Sequence, residues 1–116
     1  ETFVAELKDG EISEYRIAPE QFDIARGELA AIQVNSAAES LALIQMAFEG
    51  NSGAAADMIA LNAGAALYAA DISESLSAGI TLARKQLENG AAARTLKKLV
   101  TLSRELAAKN TVEEAV

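Results

Sequence analysis

The segment that most constrains the fold is an N-terminal β-hairpin with apolar side chains on both of its faces. Residues 2–7 and 11–17 are predicted strands around Lys8-Asp9-Gly10, because Asp-Gly provides the positive φ angles of a two-residue type I′ turn. This turn predicts the cross-strand pairs Leu7–Ile12, Val4–Tyr15 and Thr2–Ile17. The first pair lies on one face and the other two lie on the opposite face, since strand side chains alternate. A two-stranded ribbon cannot bury both faces alone, so we expect it to need more sheet than this chain contains.

The remainder of the chain is expected to be helical, because alanine, the best helix former, supplies 26 of the 116 residues. Residues 18–35 are predicted to form a short turn or helical segment that begins at Pro19, and residues 110–116 an acidic tail. Residues 36–109 are predicted to hold about four helices, covering roughly 36–48, 58–70, 73–88 and 92–108. Ser36 and Glu39 have the spacing of a capping box for the first helix, and Asp71 or Ser73 is the expected cap of the third.

Apolar spacing predicts which side of each helix is buried. Between Met58 and Ala70 the only polar groups are Asn62 and the Tyr68 hydroxyl, so the second helix is expected to be buried nearly all round. Gly79 costs about 1 kcal/mol relative to alanine inside a helix, which predicts a close crossing with a neighbour. The predicted buried stripes of the other helices are Ala37, Leu41, Ile44 and Phe48; Leu76, Ile80, Ala83 and Leu87; and Leu96, Leu99, Ser103 and Leu106.

Composition excludes several classes of chemistry and of partner. The chain has no histidine and no cysteine, which removes imidazole bases, Ser-His and Cys-His nucleophile pairs, disulfides and the common zinc sites. Its net charge of −7 argues against nucleic acid as a partner. No apolar run approaches the roughly 20 residues that span a bilayer, so no membrane partner is expected. The chain starts at Glu1 inside a predicted strand and shows no signal peptide, so a preceding segment is expected to have been removed.

The polar groups that could carry chemistry each have a simpler structural interpretation. The loop Gly50–Gly53 precedes a helix N-terminus, where phosphates bind, but it lacks the Gly-Lys-Ser/Thr of a P-loop and is expected to be a plain turn. Asn62 could bind a ligand, although a structural hydrogen bond to a neighbouring loop backbone is favoured. Two sets of charged residues are expected to be solvated: the carboxylates Glu11, Glu14, Glu113 and Glu114, and the basic strip Arg94, Lys97, Lys98 and Arg104. Tyr15 and Tyr68 are expected to be packing residues with satisfied hydroxyls.

Four segments together resemble a known enzyme family over roughly residues 2–100. They are Thr2-x-Val4-Ala5-Glu6-Leu7-x-Asp9-Gly10-Glu11-Ile12-x-x-Tyr15-x-Ile17-x-Pro19-Glu20-x-Phe22, Leu61-Asn62-Ala63-x-Ala65-Ala66-Leu67-Tyr68, Ser75-Leu76-x-x-Gly79-x-x-x-Ala83 and Gly90-x-Ala92. The order and spacing of these residues are similar to the C-terminal part of anthranilate phosphoribosyltransferase. One departure is Asp23, where the family often has glycine, and it affects only local turn geometry.

This resemblance implies that residues 1–116 are a C-terminal fragment of the large α/β domain in a nucleoside-phosphorylase-like, phosphoribosyltransferase-type fold. Such enzymes transfer the phosphoribosyl group from phosphoribosyl pyrophosphate to anthranilate in tryptophan biosynthesis, with magnesium, in the cytoplasm. They form homodimers through a small N-terminal helical domain, which is absent here.

The working motifs of that family do not occur in this sequence. They are a Gly-Thr-Gly-Gly-Asp phosphate loop, a Lys-His-Gly-Asn-type segment, an anthranilate-contacting arginine, and an Asp-Glu metal pair that would fall just before Glu1. We therefore assign no catalytic, cofactor-binding or metal-binding residue to this chain. It is expected to be an inactive scaffold that self-associates through the hairpin. The alternatives are a fragment of a pyrimidine nucleoside phosphorylase relative, which shares the fold, and a non-enzymatic helical interaction module.

Overall fold

The computed structural model describes the backbone of residues 1–114 and the side chains of residues 1–109. It contains an antiparallel hairpin followed by four helices, which confirms the predicted element order. The elements are β1 (Thr2–Lys8), β2 (Glu11–Ile17), two 3-10 turns (Pro19–Phe22 and Leu29–Ile32), α1 (Ala37–Phe48), α2 (Ala54–Ala69), α3 (Leu76–Glu88) and α4 (Ala91–Glu114). The chain divides into two compact units, an N-terminal unit of Glu1–Gln33 and a helical unit that begins at Val34.

The hairpin has the turn and the register that its sequence predicts. Asp9 and Gly10 have φ angles of 52° and 83°, as a type I′ turn requires. The cross-strand pairs include Thr2–Ile17, Val4–Tyr15 and Leu7–Ile12. Within residues 1–114 the sheet consists of these two strands, and Ile12 is 73% exposed.

The first 3-10 turn begins at Pro19, as predicted, and ends in a left-handed residue. The Ala18 N–H donates to the Gln21 side-chain oxygen at 2.9 Å, which fixes the start of the turn. Asp23 closes it with a φ of 56°. Glycine adopts that conformation at least cost, which accounts for the glycine expected here from the resemblance. Aspartate is one of the few other residues that tolerate it.

The helices α2 and α3 cross at two glycines. A Cβ atom on Gly64 would lie 2.5 Å from the Ile80 nitrogen, and one on Gly79 would overlap the Gly64 carbonyl oxygen. This contact confirms the close crossing predicted at Gly79. Around it lies the core of the helical unit, in which Ala60 and Ile80 are each 1% exposed.

Two serines cap helices in this unit. Ser36 Oγ accepts the Glu39 N–H at 3.1 Å, which confirms the predicted cap of α1, while the Glu39 carboxylate accepts from the Asn35 N–H at 2.7 Å. The predicted cap of α3 at Asp71 or Ser73 is wrong, because Ser75 accepts the Ala78 N–H at 3.1 Å. Asp71 has a φ of 56°, whereas an N-cap residue needs extended backbone.

The predicted buried stripe holds for α3 and only in part for α1 and α4, in which Ile44, Phe48 and Leu96 are half-buried. In α3, Ile80, Ala83 and Leu87 are buried. In α1, Ala37 and Leu41 are exposed and Ala47 is buried instead. Apolar residues occupy most positions of α1, so spacing alone could not select the face. The helix α2, expected to be buried nearly all round, has an exposed side that includes Met58 and Ala65.

The helix α4 packs only through its first turns. Ala91, Ala92, Ala93 and Leu96 are half-buried, whereas every described side chain from Lys97 onward is exposed. Leu99 is 62% exposed, so the predicted inward stripe is wrong beyond Leu96. The helix continues to Glu114, into the segment predicted as a tail (110–116), whose last two residues lie outside the described residues.

Candidate functional site

A cavity of about 120 Å³ lies where the α1–α2 loop meets α3. Gly50 and Gly53 have φ angles of 82° and 144°, which only glycine adopts readily. Asn51 Nδ2 donates to the Met46 carbonyl at 2.9 Å and ties the loop to the end of α1. The lining residues are Ala47, Gly50, Asn51, Ser52, Ala56, Asp57, Arg84, Leu87 and Glu88.

One ion pair crosses this cavity. Arg84 Nη2 lies 3.4 Å from Asp57 Oδ1, and both side chains are about one-third exposed. Asp57 occupies the first turn of α2, where the helix dipole favours negative charge. A carboxylate in this first turn makes the helix N-terminus less favourable for a second anion. The geometry supports a structural turn at residues 50–53 rather than a phosphate cradle.

The Asp57–Arg84 pair is a feature that reasoning from the sequence missed. The two residues are 27 positions apart and lie on different helices, so no local spacing connects them. Their only sequence signal is that each is a charged residue: Asp57 directly precedes the second predicted helix, and Arg84 lies within the third. The pair becomes recognisable once the crossing at Gly64 and Gly79 aligns α2 with α3.

Asn62 does not make the bond that was expected of it. Its Nδ2 donates to the Met58 carbonyl of the same helix at 2.8 Å, instead of to a neighbouring loop, and the residue is exposed. An amide side chain that reaches back four residues satisfies itself locally. The structure therefore places Asn62 on the open side of α2 and not in the core.

The remaining polar candidates lie apart from one another. Tyr15 donates to Glu6 Oε2 at 3.0 Å, which confirms the satisfied hydroxyl predicted for it, and Tyr68 is half-buried. The four residues of the basic strip are exposed. Glu11 and Glu14 are also exposed, and the side chains of Glu113 and Glu114 lie outside the described residues.

The described carboxylates do not gather into a metal-binding group. A hydrogen bond from Arg26 holds the pKa of the Glu20 carboxyl below its ordinary value of 4.5, the opposite of what a general acid needs. Among the described residues, no group of three or more carboxylates could hold a metal ion. In the same part of the chain, no helix is both long and apolar enough to cross a membrane.

Comparisons with known proteins identify what these elements are similar to. The family described as "Glycosyl transferase family, a/b domain" matches residues 1–93. The anthranilate phosphoribosyltransferase of Alkalilimnicola ehrlichii is 54% identical over 106 residues, which are 91% of this chain and 31% of that enzyme. The enzymes of the same name from Thioalkalivibrio sulfidiphilus and Ectopseudomonas mendocina are 48% and 52% identical, each over 88% of this chain and 30% of their own length.

These similarities confirm the predicted resemblance, and the alternatives of a phosphorylase relative or a non-enzymatic module are not favoured. The chain spans less than a third of the length of these curated relatives. The matched residues include both strands and the first three helices. Since the match extends over most of its length, the chain belongs to the glycosyl transferase family through its a/b domain.

Proposed function

We propose that this chain is the C-terminal part of an anthranilate phosphoribosyltransferase. The observation that carries the proposal is the 54% identity with the Alkalilimnicola ehrlichii enzyme over 91% of the chain. The whole enzyme transfers a phosphoribosyl group from phosphoribosyl pyrophosphate to anthranilate, a step of tryptophan biosynthesis in the cytoplasm. In that enzyme the present residues 1–116 belong to the α/β domain.

The contribution of this part to the reaction is scaffolding. Three of its polar groups are engaged in structural contacts: Asp57 pairs with Arg84, Asn51 bonds to the end of α1, and Glu20 pairs with Arg26. The catalytic groups of the enzyme are therefore supplied by the part of the protein outside this sequence.

Magnesium, which the resemblance implies, has no site among the described residues of this chain. Mg²⁺ is usually bound by one or two carboxylates together with substrate phosphates, and the Asp-Glu pair that supplies them in the family does not occur in this sequence. The ion is held elsewhere in the enzyme, and no step of the reaction passes through residues 1–109. Dimerisation of the enzyme likewise uses its N-terminal helical domain.

The 116-residue chain by itself self-associates through residues 2–17. Phe3, Leu7 and Ile12 are exposed large apolar side chains on this hairpin, and both strands have open edges within the described residues. Exposed strand edges and apolar patches pair with one another in solution.

A chimera tests the proposal directly. In it, this chain replaces the matched region of the Alkalilimnicola ehrlichii enzyme, and conversion of anthranilate with phosphoribosyl pyrophosphate and magnesium is measured by chromatography. We expect the chimera to be active and the 116-residue chain alone to be inactive. A folded but inactive chimera would contradict the assignment to this enzyme, and activity of the chain alone would contradict the scaffold role.

A further inference from the structure

The exposed sides of the two crossing helices differ in chemistry. Each set of residues below follows the spacing of one helix face. The exposed side of α3 is polar at every position: Ser77, Thr81, Lys85 and Glu88. The exposed side of α2 consists of Met58, Asn62, Ala65, Ala66 and Ala69. None of these residues is charged, and Asn62 is the polar one. The face of α3 is therefore suited to water, whereas the face of α2 is suited to contact with another polypeptide.

The α2 face, defined by these five residues, is shaped for close approach. Three of its members are alanines, and Met58 is 46% exposed at one end. Small side chains allow a second backbone to come near a helix, as Gly64 and Gly79 do at the α2–α3 crossing. A charged or bulky face would instead hold a neighbour at a distance.

Asn62 supplies one directed group in the middle of this face. Its Nδ2 is engaged with the Met58 carbonyl at 2.8 Å, and no described residue donates a hydrogen bond to its Oδ1. A carboxamide oxygen accepts from a backbone N–H. Because the surrounding alanines let a neighbouring backbone approach closely, a main-chain N–H is a better donor to this oxygen than the end of a long side chain.

We propose that the α2 face is the surface on which the remainder of the longer transferase packs, with a backbone N–H of that remainder bonded to Asn62 Oδ1. The inference rests on the proposed function. The family match covers all of α2, and more than two-thirds of each matched relative lies outside the region that this chain covers. That remainder is part of the same protein in the longer transferase, and it is the occupant that the proposal assigns to the α2 face.

Thiol accessibility tests the proposal, because the chain contains no cysteine. Ala65→Cys places one thiol on the α2 face, and Thr81→Cys places a matched control thiol on the polar face of α3. Maleimide labelling is compared between the 116-residue chain and the Alkalilimnicola ehrlichii chimera, whose other cysteines are replaced by serine. We expect the Ala65→Cys thiol to react about tenfold or more slowly in the chimera, and the Thr81→Cys thiol to react equally in both.

Every other result overturns the proposal. Equal labelling of the Ala65→Cys thiol in chain and chimera means that the remainder does not cover the face. Protection already present in the chain, and lost on dilution, means that a second copy covers it. In the chimera this chain replaces a region of the enzyme that is 54% identical to it. A chimera that does not fold therefore means that the α2 face does not accept the remainder of that enzyme.

Asn62→Ala gives a second measurement. It should lower the thermal midpoint of the chimera and leave that of the 116-residue chain unchanged. An unchanged thermal midpoint of the chimera would exclude the proposed hydrogen bond to Asn62 Oδ1. Failure of the proposed function is distinguishable, because an inactive chimera with a protected thiol retains the docking face. An active chimera with a reactive Ala65→Cys thiol supports the proposed function and contradicts the docking face.

Discussion

Gly79 illustrates how a single residue sets the distance between two helices. Its missing side chain allows the Gly64 carbonyl of α2 to lie against α3, and the Ser73 hydroxyl would be only 2.8 Å from an added Cβ. A glycine inside a helix normally lowers helix stability. At this position a methyl group would occupy the space that the Gly64 backbone fills, and backbone atoms cannot shift without moving the helix.

Gly79→Ala should therefore destabilise the chain although alanine is the better helix former. The gain of about 1 kcal/mol in helix propensity is smaller than the cost of forcing two backbones apart, and overpacking typically costs about 1–3 kcal/mol. We expect the free energy of unfolding, measured with urea, to fall by up to about 2 kcal/mol. Ser77→Ala, an exposed position of the same helix, is the control and should not lose stability. An equally stable Gly79→Ala variant would contradict the close crossing.

Glu20 gives a prediction for pH. Its hydrogen bond from Arg26 holds its pKa below the ordinary 4.5, so the pair stabilises the folded state above the unfolded pKa. This contribution is lost as the pH falls through the folded pKa. The carbon-13 shift of the Glu20 carboxyl should titrate below pH 4.5, and Arg26→Gln should return the midpoint towards that value. Because the pair is exposed, salt at about 1 M should reduce the difference; a midpoint insensitive to Arg26→Gln would exclude the pairing.

At the residue scale, the sequence predicts features that local spacing encodes and misses those that tertiary packing creates. Gly79 is recognisable as a glycine within a helical pattern, and Asp9-Gly10 as a turn. The pairing of Asp57 with Arg84 is not recognisable, because it depends on how α2 and α3 cross. The same holds for Asn62, whose exposure follows from the absence of a neighbour on one side of α2.

At the scale of elements, the start of α1 is fixed by the side chains of Ser36 and Glu39. Ser36 Oγ accepts the Glu39 N–H, which satisfies a donor that the helix itself leaves unpaired. The Glu39 carboxylate accepts from the Asn35 N–H, which ties the residue before the cap to the first turn. The sequence predicts this boundary because the spacing is local.

Ser36→Ala should lower the free energy of unfolding by about 1 kcal/mol, since an N–H at the helix start loses its acceptor. Ser36→Asp, which keeps an acceptor at the cap, should retain most of that stability. Thermal unfolding followed by circular dichroism at 222 nm, with both variants at one concentration, separates the two cases. Equal losses in both variants would show that packing near residue 36, and not the cap, is responsible.

The buried faces of the helices are less predictable than their ends. In α1 most positions are apolar, so several stripes satisfy the helical period and the sequence cannot select one. In α2 and α4 the expected apolar stripes are present but exposed: Met58 and Ala65 in α2, Leu99 and Leu106 in α4. Periodicity reports that a face is apolar and does not report which polypeptide covers it. In this chain, which spans less than a third of the length of its relatives, the described residues leave these apolar faces uncovered.

At the scale of the whole molecule, the hairpin carries the most exposed apolar surface of the N-terminal unit. Arg16 lies 4.2 Å from the centre of the Phe3 ring and partly shields it by a cation–π contact. Leu7 and Ile12, which pair across the strands, are 72% and 73% exposed. Burial of the face formed by this pair against another copy would remove its exposed apolar surface from water.

We therefore expect the 116-residue chain to sediment as a dimer or larger species at high concentration and to dissociate on dilution. Ile12→Lys should shift it towards monomer, because a charge on this face resists burial and a lysine on a strand opposes edge pairing. Thr81→Lys introduces the same charge on the polar face of α3 and is the matched control, which should leave the sedimentation profile unchanged. A chain that remains monomeric at every concentration, with or without Ile12→Lys, would mean that the hairpin tolerates water on both faces. Burial of the Leu7–Ile12 face would then not be the force that drives assembly.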